Sequence, residues 1–369
     1  FLDPFRFILI FPRCCRARLR CRAERIINYT AWQSSALVFW WHGSAPPYVE
    51  VRCGPGSKVK QLPLDEDIRK YLEAQAGVAR PSELQLPISQ IRRVTHSAWT
   101  DVPRPPFEAV TRDFQVQGRD GPIPVRLYRS VEGGVQPLVL FAHGGGFVFG
   151  DLNTHHDVSN RLALDGGVQV LAVDYRLAPE HPFPAGVNDF IDVLTWCSDN
   201  FSILEADPER FFVAGDSAGG NFAAVAAQVA ADRGIGLAGQ ILIYPVTDLR
   251  RTEYESRVTR ASGYGLSQAD MWWYLGHYLA DWSQDSDPLA SPIVRDSLAG
   301  LAPAFVMTAG YDPLHSEGEA YARRLRADGV PVEYLHLSGA NHGVFSNFSQ
   351  FAAGEQTWVA MLRWLAART

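Results

Sequence analysis

The chain is poor in lysine, methionine and, over most of its length, cysteine. Of its 34 basic residues only Lys58, Lys60 and Lys70 are lysines, which leaves 34 − 3 = 31 arginines, a bias that fits a GC-rich genome. Four of the five cysteines (Cys14, Cys15, Cys21 and Cys53) precede residue 54, so Cys197 stands alone in the remainder. That excludes a disulfide framework for residues 61–369. Cys14, Cys15 and Cys21 lack the paired spacing of a zinc site, and no metal is expected. Apolar runs are short, and none approaches the ~20 residues that cross a bilayer. The patches at 7–11 and 36–41 do not read as a secretory signal, because charge follows the first patch instead of preceding it. A formal charge of 34 − 40 = −6 argues against a nucleic-acid partner. With no signal, no span and no disulfide framework, cytoplasm is the default location.

What is present divides into two unlike stretches. Residues 1–60 carry ten basic and three acidic side chains, a net of +7, so residues 61–369 carry 24 − 37 = −13. The arginines at 16, 18, 20 and 22 follow a two-residue rhythm, not the helical one of a membrane-surface helix. This basic segment is expected to be an extension, non-native or poorly ordered, with a natural start near Val59.

Periodicity begins at Leu64. Helices are expected over about 65–76, with Asp65 as cap, and over 89–96; the proline-rich 102–106 reads as a connector. Alternating segments at 110–116 and 123–128, separated by a glycine turn, predict an antiparallel hairpin. Continuous apolar runs follow at 138–142, 168–173, 211–214, 240–244, 305–308 and 332–337. Helix-length segments separate them, at about 155–165, 185–199, 218–232, 315–328 and 353–367. Such runs predict a mostly parallel central sheet buried on both faces and flanked by helices, an α/β fold. Residues 248–290 interrupt this rhythm and read, with 64–100, as a helical cap over the sheet's carboxyl edge. Its aromatic residues Trp272, Trp273 and Tyr278, with Phe147, are candidates for a substrate pocket, although aromatic clusters more often serve packing.

Three strand ends carry chemistry. The run Gly215-Asp216-Ser217-Ala218-Gly219-Gly220 joins an apolar strand to an alanine-rich helix, the context in which a serine is held exposed on a sharp turn. A serine nucleophile needs a base, and the base needs an orienting acid. Asp312 follows the run 305–308 and His342 follows 332–337, so serine, acid and histidine come in one order, each just past a strand. Asp216 and Glu317 compete for the acid role less well: one is tied to the serine turn, the other lies a turn into a helix. His336 falls inside a strand and reads as structural. Finally, His143-Gly144-Gly145-Gly146-Phe147 follows the third strand. Backbone without side chains approaches a developing oxyanion closely, so Gly144, Gly145 and Gly146, with Ala218, are candidate N–H donors, Gly145 first. His143 itself reads as a hydrogen-bonding fixture of that loop.

Together the stretches 143–147, 174–184 and 215–220, Asp312-Pro313-Leu314 and His342 resemble the hormone-sensitive-lipase-like family of bacterial carboxylesterases. The resemblance spans about residues 64–369 and implies an α/β-hydrolase core under a helical cap. It also implies cofactor-free hydrolysis of short- to medium-chain acyl esters by Ser217, Asp312 and His342, and a supporting role for 174–184 behind the glycine loop. One departure is His315-Ser316-Glu317, where the family often places a basic residue and a second acid; this bears on the support of Asp312. The expected partner is a small-molecule ester, and a homodimer is the candidate assembly. An amidase or deacetylase would use the same residues, and a non-catalytic small-ligand receptor on this fold would usually lack the histidine.

Overall fold

The computed structural model describes residues 63–84, 86–100, 108–130 and 134–369, together with five short strands before residue 60. The chain divides into two units, Phe1–Gln61 and Leu62–Thr369. In the first, Arg6–Leu9 pairs with Leu37–Trp40, and Arg16–Arg20 pairs with Ile26–Thr30 and Tyr48–Arg52, all antiparallel. The packing and origin expected for residues 1–60, and the connector expected at 102–106, lie outside the described residues.

Numbered within the second unit, the first helices are α1 (Glu66–Ala74) and α2 (Ile88–Thr100). Asp65 precedes α1 as expected, but its carboxylate makes no capping bond. The hairpin β1 (Val110–Gly118) and β2 (Gly121–Arg129) follows. Then come β3 (Gln136–Ala142), α3 (His156–Gly166), β4 (Gln169–Val173), α4 (Ala185–Asp199), β5 (Ala206–Asp216), α5 (Ala218–Arg233) and β6 (Gly239–Ile243). The inserted segment contributes α6 (Glu255–Thr259) and α7 (Gln268–Tyr278). The chain closes with β7 (Ala304–Tyr311), α8 (His315–Ala327), β8 (Val332–Asn341) and α9 (Ala352–Ala366).

The eight strands form one sheet in the order β8-β7-β6-β5-β3-β4-β2-β1. β3 to β8 are mutually parallel, while β2 runs antiparallel to both β4 and β1. Period-two alternation explains the continuous apolar runs. On β3, Leu138, Leu140 and Ala142 join the core shared with α4, α5 and α8, while Val139 and Phe141 join the core shared with α3 and α9. Both faces are covered, so both sets of side chains are apolar.

Asp270 fastens the two cap pieces to each other. Its carboxylate accepts the Ser267 backbone N–H (3.0 Å) and the Ser82 hydroxyl, and lies 3.5 Å from the Arg80 guanidinium. Among the described residues, no helix is long and apolar enough to cross a membrane.

Candidate active site

The parallel strands all end at one edge of the sheet, where loops gather side chains from distant parts of the chain. Ser217 sits between β5 and α5 with φ 56° and ψ −117°. That conformation costs a non-glycine residue about 1–3 kcal/mol and persists only where its surroundings hold it. They do so through the Ser217 N–H on the Ile243 carbonyl (2.9 Å) and the Ser217 carbonyl accepting from Val246 (3.2 Å) and Asn221 (3.1 Å). Close packing of α5 on β3 requires Gly219, since a Cβ there would overlap the Ala142 carbonyl.

Asp312 and His342 arrive from the ends of β7 and β8. His342 Nε2 lies 3.0 Å from Ser217 Oγ, and its Nδ1 lies 2.7 Å from Asp312 Oδ2. The other Asp312 oxygen accepts the Leu314 N–H at 2.8 Å, and the carboxylate is fully buried. Tyr244 packs against the imidazole, with ring centroids 4.5 Å apart. The three residues expected to act together are therefore one hydrogen-bonded chain.

Glu317 takes no part in it. It is buried against Arg257 at 2.5 Å and accepts the Thr247 N–H at 2.9 Å. Burial raises its carboxyl above the usual range, although Arg257 draws it back. Ser256 adds a brace, donating to the Pro313 carbonyl (2.6 Å) and accepting from Ser316 N–H (3.0 Å). The segment after Asp312 is thus tied to the root of the cap. His336 lies in β8, bonded to the Thr308 hydroxyl (3.1 Å) and pushed down to about 4 by burial and by His315.

The glycine loop curls beside Ser217. Gly145 has φ 125°, a conformation open only to glycine, and a Cβ there would strike the Phe149 carbonyl. One expectation is corrected at Gly144. Its N–H already donates to Asp216 Oδ1 at 3.0 Å, which removes it from the candidate donors. Gly145 and Gly146 remain, with Ala218 at the first turn of α5, where backbone N–H groups lack partners within the helix. Behind the loop, the Tyr175 hydroxyl donates to the His143 carbonyl (2.7 Å), and the Ala178 N–H donates to the Phe147 carbonyl (3.0 Å). The stretch 174–184 therefore buttresses the loop. His143 bonds the Gly144 carbonyl through Nδ1 (2.8 Å), and burial, with His155 beside it, pushes it down to about 4, so it is neutral.

A cavity of about 540 Å³ lies over Ser217 and His342. Phe147 lines it as expected; Trp272, Trp273 and Tyr278 do not. Met271, Tyr274 and Leu275 line it instead, with Leu266 and Leu314. Helical geometry separates Trp272 and Trp273 from the lining, because positions i, i+3 and i+4 share a face and α7 turns 271, 274 and 275 toward the cavity; Tyr278 lies one turn further along that face, covered by Phe147. Trp272 packs edge-on to Trp282, Trp273 stacks on Phe149, and Tyr278 stacks on Phe147 with centroids 3.9 Å apart. The spacing groups Met271, Tyr274 and Leu275 on one face but does not say that this face, and not its neighbours, turns toward the serine. Trp99 and Tyr71 add a wall from the N-terminal cap helices.

Comparison with known proteins agrees with this architecture. A family model described as the alpha/beta hydrolase fold matches residues 139–346. The carboxylic ester hydrolase LipN of Mycobacterium tuberculosis is 41% identical over 276 residues, covering 71% of this chain and 72% of that protein. An arylesterase of Saccharolobus solfataricus is 32% identical over 285 residues, covering 76% and 92% respectively. The solved esterase of Pyrobaculum calidifontis superposes with a TM-score of 0.75 at 36% identity, covering 83% of this chain and 100% of that one. Strand order, the serine turn and these relatives agree: the chain belongs to the α/β-hydrolase superfamily, in its hormone-sensitive-lipase-like branch.

Proposed function

We propose that the protein is a serine carboxylesterase that cleaves short- to medium-chain acyl esters through an acyl-enzyme intermediate. The observation that carries this reading is the continuous chain from Ser217 through His342 to Asp312 beneath the cavity. Asp312 accepts a hydrogen bond from the Nδ1–H, which fixes the tautomer and leaves Nε2 unprotonated to take the serine proton. Ser217 Oγ then attacks the ester carbonyl, and the resulting oxyanion faces the N–H groups of Gly145, Gly146 and Ala218. His342 passes its proton to the leaving alcohol, next deprotonates a water that attacks the acyl-serine, and finally returns that proton to Ser217. Serine, imidazole and backbone donors supply this chemistry without a cofactor.

The apolar lining of Leu266, Met271, Leu275 and Leu314 suits an acyl chain, and the cavity falls within the few-hundred Å³ usual for small ligands. A cytoplasmic bacterial enzyme is the proposed setting. The test is initial rates on p-nitrophenyl esters from acetate to decanoate, beside an amide analogue. Turnover highest on the shorter esters, and lost about a million-fold in Ser217→Ala, is expected. Half the rate surviving that substitution would overturn the proposal. Faster turnover of the amide would make the protein an amidase, and no turnover of any ester would favour a receptor.

A further inference from the structure

Asp216 stands one residue before the nucleophile, and its buried carboxylate reaches three separate segments of the site. Oδ1 accepts the Gly144 N–H at 3.0 Å. Oδ2 accepts the Ser346 hydroxyl at 3.2 Å, and Ser346 lies in the loop that carries His342. His155, immediately before α3, places Nε2 3.6 Å from Oδ1, and its Nδ1 lies 3.1 Å from the Thr154 hydroxyl. A Cβ on Gly144 would sit 2.6 Å from Oδ2, so loop and carboxylate fit together only because residue 144 has no side chain. None of these contacts touches the reacting atoms.

We propose that Asp216 is a positioning residue that anchors the glycine loop to the serine turn and so holds the Gly145 and Gly146 N–H groups at oxyanion distance. The inference rests on the esterase reading above. Its physics is local. The Gly144 N–H ties the loop to the serine turn just before two glycines, and glycine backbone has the most freedom to lose. Oxyanion donors act only when preorganised at hydrogen-bond distance, so a loop released at Gly144 loses its effect without losing the cavity. The anchor is ionised: burial would raise its carboxyl, but His155 beside it, through charge and hydrogen bonding, holds it below the ordinary aspartate value. An ionised acceptor makes the stronger bond to a backbone N–H.

The test compares Asp216→Ala with Asp216→Asn in the full chain. Folded sites are counted by titration with a serine-reactive phosphonate, and kcat and KM on p-nitrophenyl butyrate are expressed per titrated site. The inhibition constant of a trifluoromethyl ketone, which forms an oxyanion on the serine, is measured in parallel. The alanine variant should lose about 100-fold in kcat per site, the scale of one lost oxyanion donor, with KM within about threefold. Its inhibition constant should rise by a similar factor. The asparagine variant keeps an acceptor for Gly144 and a donor toward Ser346, and should recover kcat to within about tenfold of wild type. Unchanged kcat per site in the alanine variant, or lost kcat with unchanged ketone affinity, would overturn the proposal. If Asp216→Ala yields no titratable sites, Asp216→Ser, too short to reach Gly144, is judged by the same readouts. A wild-type protein without esterase activity would instead sink the reading on which the inference rests.

Discussion

Two carboxylates five positions apart invite a crossed experiment, because the structure gives them opposite roles. Asp312 touches His342, whereas Glu317 touches Arg257 and the backbone of the 247–248 turn. Asp312→Asn keeps the volume but exchanges a charged acceptor for an amide that stabilises the wrong imidazole tautomer and no imidazolium. The expected loss is about 10⁴-fold in kcat, or about 5 kcal/mol of transition-state stabilisation. Its melting temperature should move little, since the amide oxygen can still accept the Leu314 N–H. Glu317→Gln does the reverse. It keeps an acceptor for the Thr247 N–H but strips the counter-charge from Arg257, which is only 1% exposed. Breaking a buried pair by removing one partner costs about 3–5 kcal/mol. At about 2–4 °C per kcal/mol, Tm should fall by on the order of 10 °C. Partial compensation comes from the carbonyls of Asp248, Arg250 and Thr252, which Arg257 also engages. The assays are thermal melts and kcat per phosphonate-titrated site. A Glu317→Gln enzyme that melts normally but loses a thousand-fold in kcat would refute the assignment of the acid.

Three further outcomes are expected. Leu275→Ala enlarges the cavity and should move the chain-length optimum of kcat/KM toward longer acyl groups, while Trp272→Ala leaves the profile of relative rates unchanged; a shift with Trp272→Ala alone would contradict the lining described. A chain beginning at Val59 should fold and keep its esterase rate, checked by circular dichroism and turnover, and an insoluble or inactive product would show that residues 1–58 are required. Asp174 is pushed up to about 6 by burial and then by Asp151, against an ordinary value of 3.8. Because the folded protein binds this proton more tightly than the unfolded chain, the associated stability is complete below about pH 4 and is lost as pH rises through 6. At about 1.4 kcal/mol per pH unit, Asp174→Asn should therefore be more stable than wild type by about 2–3 kcal/mol at pH 8 and equal to it near pH 4. Urea titrations at the two pH values decide it, and equal stability at pH 8 would refute the raised carboxyl.

The sheet and the serine turn were readable from one dimension because their causes are local. A strand covered on both faces is apolar at nearly every position, as 138–142 and 305–307 are, and chemistry gathers at the carboxyl ends of the strands, where the loops begin. Boundaries were less legible where composition turns polar. β5 begins at Ala206, five residues before the apolar run, and its register shifts between Ala206 and Phe211. The segment Ala-Asp-Pro-Glu-Arg carries no strand signal of its own.

Two features of the site depended on contacts that no local pattern encodes. The run Met271-Trp272-Trp273-Tyr274-Leu275 carries no charged residue to announce which of its faces turns inward; packing against Phe149, Phe147 and Trp282 decided it. In the same way three consecutive glycines are equivalent as letters. Only the approach of Asp216, 72 residues away, takes the Gly144 N–H and so sets it apart from its two neighbours. The order of strands and of serine, acid and histidine was determined by the sequence itself, through periodicity and strand-end position. Which glycine N–H is taken and which aromatic residues line the cavity were decided by tertiary structure, because each depends on a through-space partner that the local sequence does not encode.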